Sequence, residues 1–111
     1  MTEQTSSPKK SRRQLLEEFV AKKPDDPFSR YGLALECMQD GDSAAADQHF
    51  RALIQRNPSY IPGYQMYGQF LARDERNEEA RTILTAGIAA ATKAGNQHAG
   101  SEMETLLNDL S

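Results

Sequence analysis

Residues 27–60 read PFSRYGLALECMQDGDSAAADQHFRALIQRNPSY, and residues 61–95 read IPGYQMYGQFLARDERNEEARTILTAGIAAATKAG. Laid over one another at an offset of about 34 residues, the two stretches superpose like on like. Leu33 falls on Tyr67, Ala34 on Gly68, Cys37 on Leu71, Ala46 on Ala80, Phe50 on Leu84 and Ile54 on Ile88. Self-similarity at a fixed period marks a repeat architecture, in which a unit completes its core only by stacking on a neighbour. Carried towards the N-terminus, the same offset sets Pro24 beneath Pro58, Phe19 beneath Leu53 and Leu16 beneath Phe50. Residues 11–26 therefore read as the second half of a truncated unit.

Each unit divides into two helices. Asp26 is placed to cap one that opens with Pro27, where a missing N–H costs nothing, and Gly41 suits the left-handed turn that ends it. Asp42 or Ser43 then caps a helix carrying Ala46, Phe50, Leu53 and Ile54 on one face, which stops at Asn57-Pro58. In the second unit Ser59 is expected to open the first helix and Asn77 to cap the next, whose first turn holds Glu78 and Glu79 and which runs to Gly95. Leu15, Leu16, Phe19 and Val20 give residues 11–26 a helical stripe, and Ala99, Met103, Leu106, Leu107 and Leu110 give another to residues 96–111. Residues 1–10 are polar and without period, and read as a disordered tail. The result is an all-α chain of about six helices joined by short turns.

Composition supports that class and removes several functions. Tryptophan is absent and β-branched residues are few, whereas alanine, glutamine, glutamate and leucine recur. A net charge of -3 gives no general attraction to a phosphate backbone. The basic run Lys9, Lys10, Arg12 and Arg13 is offset by Glu17 and Glu18, which argues against nucleic acid as a partner. The single cysteine, Cys37, the missing secretory signal and the absence of an apolar run of about 20 residues point to a cytoplasmic protein that does not engage the membrane. Cys37, His49 and His98 fall on three separate helices without metal-binding spacing, and no glycine loop is arranged to cradle phosphate. Neither catalysis nor a metal nor a cofactor is expected.

The residues in register carry a resemblance. Leu33, Ala34, Cys37, Ala46, Phe50 and Pro58 in the first unit, with Tyr64, Tyr67, Gly68, Leu71, Ala80 and Leu84 in the second, resemble the pattern of the tetratricopeptide repeat (TPR) family, in a small bacterial-type form. Arg30 stands where that pattern has tryptophan, and Thr92 where it has proline, which lets the fifth helix run long. The resemblance implies a right-handed stack of antiparallel helix hairpins: a half-repeat over 11–26, repeats over 27–60 and 61–95, and a capping helix over 96–111. It also implies that the first helix of each pair lines a concave groove where a partner docks.

On a helical wheel the apolar residues of the 27–40 helix span an arc of about 220°, far more than the ~100° a surface helix needs. Leu33, Ala34 and Cys37 take the positions that face the partner helix, leaving Phe28, Tyr31, Leu35 and Met38 for the groove. The second repeat adds Gln65, Met66, Gln69 and Arg73, suited to hydrogen-bonding an extended peptide or accepting its carboxylate. The expected function is protein–protein interaction, with an unidentified protein or peptide in the groove; the alternative is a homodimer closed by the same apolar stripe.

Overall fold

A computed structural model describes residues 9–110; of the N-terminal tail only Lys9 and Lys10 fall within them, both exposed, and residues 1–8 and 111 lie outside. Six helices follow one another: α1 (Arg12–Lys22), α2 (Pro27–Gln39), α3 (Ser43–Arg56), α4 (Ile61–Arg73), α5 (Asn77–Ala94) and α6 (Gln97–Asp109). Among the described residues there is no strand.

Local chemistry sets most of the boundaries. The Ser11 side chain accepts the Gln14 N–H while the Gln14 side chain returns a bond to the Ser11 N–H, a reciprocal cap that starts α1. Asp26, Asp42 and Asn96 accept the N–H groups of Ser29, Ala45 and Ala99 and start α2, α3 and α6. Two expected caps are displaced. Tyr60, not Ser59, precedes α4, and Arg76, not Asn77, precedes α5; neither gives a side-chain cap. At α4 a proline in the first turn needs no capped donor. At α5 the Arg76 guanidinium has no acceptor to offer the free N–H groups and pairs with Glu79, 2.7 Å away.

Packing joins α2 to α3, α4 to α5 and α5 to α6 as antiparallel neighbours, with α1 set on α2 and α3 on α4. The molecule is correspondingly long, 59 × 28 × 20 Å. Small residues decide how closely the hairpins close. A Cβ added to Gly68 would lie 2.5 Å from Leu84 Cδ2, and one on Gly87 would lie 2.6 Å from both Tyr64 Cβ and Met103 Sδ. Ala34, Ala46, Ala80 and Ala91 are wholly buried at comparable seams. Between the two repeats Phe50 stacks on Tyr67 at 5.4 Å and meets Phe70 at 5.6 Å. That aromatic cluster joins α3 to α4.

Two positions show how the repeat tolerates departures. Arg30 is buried at the place where the resemblance expects tryptophan; its stem packs, and Nη2 donates to the Pro24 carbonyl at 3.1 Å. The fifth helix extends over 18 residues against 14 for α3, so Asn96 starts α6 later than the repeat period would place it. Met103 is then the fully buried residue of α6, and Glu104 remains exposed.

Candidate functional site

The expected groove residues lie on α2 and α4, and the structure sorts them by what they touch. Phe28 is 71% exposed, the most exposed large apolar side chain described. Its ring meets Tyr60 edge-on, with centroids 5.7 Å apart and planes at 83°, and Tyr31 meets the same Tyr60 ring at 5.6 Å and 69°. Leu35, Met38 and Met66 are half-buried and pack against the core, so each offers only part of its surface. The Gln65 amide donates to Glu102 on α6 at 3.1 Å, and His98 Nε2 lies 3.3 Å from the same carboxylate. Among the described residues Gln69, half-buried, and Arg73, exposed, make no hydrogen bond or ion pair. The face is thus apolar and aromatic on α2 and amide-rich on α4, with an acidic neighbour on α6.

This face is an open strip. Crevices lie elsewhere on the surface, among them one of about 390 Å³ between α5 and α6, lined by Ile88, Ala91, Gly95 and Glu104, and one of about 330 Å³ beside Tyr67, Ile54 and Ile83. A strip without enclosing walls suits a polypeptide segment better than a small molecule, which needs most of its surface covered.

The comparisons with known proteins agree with the hairpin stack. No family model matches the chain. A TPR repeat-containing protein of Pseudomonas aeruginosa is 28% identical over 95 residues, covering 86% of this chain and 90% of that protein. The solution structure of a tetratricopeptide repeat domain protein from Salinibacter ruber superposes with a TM-score of 0.75 at 29% identity, over 80% of this chain and 90% of that one. The TPR2B domain of yeast Sti1, solved in complex with pHsp70, shares the fold at a TM-score of 0.79, over 86% of this chain and 77% of that one, with 14% identity. The chain is similar to tetratricopeptide repeat proteins in sequence and in fold.

Within this hairpin stack several other polar side chains have structural employment. Tyr64 Oη donates to the Pro58 carbonyl at 2.7 Å, and Tyr67 Oη to Asp47 at 2.7 Å. Asp47 also faces Arg51 at 2.8 Å and Arg76 at 3.2 Å, so one carboxylate links α3, α4 and the start of α5. Cys37 is fully buried and burial pushes its thiol pKa up, the reverse of what activates a nucleophile. His49 sits half-buried on α3 rather than on its outward side, with Nδ1 enclosed and without a protein partner, and burial holds its pKa below the ordinary value. Among the described residues no group of three or more His, Cys, Asp or Glu is placed to hold a metal, and no helix is long and apolar enough to cross a membrane.

Sequence reasoning missed Tyr60 and Glu102 as members of this face. Tyr60 immediately precedes α4, and the periodicity grouped it with Tyr64 and Tyr67 of that helix instead of with α2. Glu102 follows His98 at helical spacing on α6, a signal that was present but pointed nowhere until α4 and α6 were set side by side.

Proposed function

We propose that this protein binds a segment of a partner protein, an extended peptide or a helix, along the α2 and α4 face, and does so without catalysis. The observation that carries the reading is Phe28. A phenylalanine 71% exposed loses the stabilisation of about 1.5–3 kcal/mol that burial brings an apolar side chain, and Tyr60 holds it in that place. A partner that covers it recovers this term at no cost in rearrangement. The amide and guanidinium groups of Gln69 and Arg73 supply unengaged donors to the backbone of such a segment. Sti1, whose domain has this fold, forms a complex with pHsp70, which supports the reading in kind and names no partner for this chain.

The test is selection of a random dodecapeptide display library on the native chain, with each selected peptide then measured against Phe28→Ser and Gln69→Ala. Phe28 is exposed, so its replacement leaves the helical circular dichroism and thermal midpoint unchanged. Affinity is expected to fall at least tenfold, about 1.4 kcal/mol, for Phe28→Ser. Peptides that bind both variants as tightly as the native chain would remove this face as the site.

A further inference from the structure

We propose that Phe28, Tyr31 and Tyr60 form a subsite for a basic side chain, lysine or arginine, of the segment bound along this face; the inference rests on the binding reading above and narrows it. The three rings are arranged as adjoining walls. Phe28 and Tyr31 stand at 83° and 69° to Tyr60, with centroids 5.7 and 5.6 Å from it. In edge-to-face contacts the positive rim of one ring is spent on the negative face of another, and a ring as exposed as Phe28, at 71%, keeps face free for a ligand. A cation within about 6 Å of such a face is attracted to it, and several rings set at angles do this better than one.

Charge around the rings favours the same ligand. Asp26 immediately precedes α2 and caps it through Ser29 at 3.1 Å. The Ser29 hydroxyl and N–H hold that carboxyl below the usual carboxylate range, so it is ionised at neutral pH. Its field reaches the Tyr60 hydroxyl, whose pKa is raised by burial first, then by Tyr31 and Asp26. Asp25 lies beside it with its side chain 83% exposed. Arg56 pairs with Asp25 at 2.7 Å and offsets its charge, and Arg30 turns to the Pro24 carbonyl at 3.1 Å while keeping its own; of these charged groups only Asp26 acts on Tyr60. Lys23 acts on Asp26 from the preceding turn and is the local cation that an incoming basic group must displace. Among the described residues neither Lys23 nor Arg56 is in ring contact with the three aromatics. An aliphatic anchor would gain the same apolar contact with Phe28 yet nothing from Asp26 or from the ring faces; a basic side chain gains from both, through its stem and its charged head.

The experiment uses the full chain and the tightest library peptide whose binding depends on Phe28. Each lysine or arginine of that peptide is replaced by norleucine, and affinity is read by fluorescence anisotropy for the native chain, Tyr60→Leu and Asp26→Asn; asparagine preserves the helix cap. One basic position is expected to matter, its norleucine version binding about 2- to 5-fold more weakly. That difference should vanish in Tyr60→Leu, shrink in Asp26→Asn and widen at low salt. Peptides that depend on Phe28 but carry no basic residue, or that tolerate norleucine everywhere, overturn the subsite while leaving the groove in place. A library that yields no Phe28-dependent peptide overturns the groove reading, and the subsite with it.

Discussion

Glu75 is the one non-glycine described with a positive φ, 60°, and it stands in the turn between α4 and α5 where the first repeat has Gly41 at 76°. A residue with a Cβ pays about 1–2 kcal/mol in this region, part of which glycine gives back through the entropy of its unfolded chain. Glu75→Gly is therefore expected to stabilise the protein by up to about 1 kcal/mol, read as a rise in the urea midpoint with an unchanged slope. His49 makes a second prediction. Its folded pKa is held down, by burial first and Arg30 second, so below pH about 6.5 the unfolded chain takes up a proton that the folded chain resists. Stability should decline as pH falls below that value. A second, steeper loss begins below pH about 4, because Asp26 and Asp42, held low by Ser29 and Arg13 respectively, contribute stability only while ionised. Urea midpoints measured from pH 8 to pH 3 should show both stages, and His49→Gln should lack the first.

At the scale of helices, glycine in mid-helix normally costs about 1 kcal/mol against alanine, so a surface reading of Gly87 would recommend replacing it. The contacts argue the reverse. A Cβ there would meet Tyr64 Cβ at 2.6 Å, and Tyr64 is held by its bond to Pro58. Gly87→Ala is expected to destabilise by roughly 1–2 kcal/mol, the cost of overpacking less the gain in propensity, measurable by the same denaturation. The outer helices behave differently. α1 buries Val20 and leaves Leu15 and Phe19 about half exposed, because no helix among the described residues precedes α1 to cover them. Arg12 takes the place held by the buried Ala46 and Ala80 in the full repeats, and turns to Glu36 at 3.0 Å instead. The spacing put Leu15, Leu16, Phe19 and Val20 on one stripe; the fold buries Val20 within it and leaves Leu15 and Phe19 outside.

For the whole molecule, the question is whether the exposed apolar surface serves a partner or a second copy. Among the described residues the large apolar side chains left exposed are Phe28 on α2 and Leu15 and Phe19 on α1. Stable dimers usually bury well over 1,000 Å², which a few separate side chains do not supply. The chain is expected to run as a monomer in light scattering after size exclusion across a wide concentration range. A native dimer that Phe28→Ser converts to monomer would transfer this face to self-association.

The spacing of residues in one chain was enough to establish the helices, the repeat and the seams. Caps such as Asp26 act on the next three residues, and small residues at Ala34, Gly68 and Ala80 recur with the period, so both are local or periodic facts. What each face meets is neither. Leu35 and Met38 were assigned to the groove, yet they lean on the core; Tyr60 was read with the apolar residues of the helix after it, yet it holds Phe28 and Tyr31 together. A helical wheel gives the direction of a side chain and not its neighbour. The neighbour depends on how far α2, α4 and α6 stand apart, and that distance is set by the packing of all the hairpins at once.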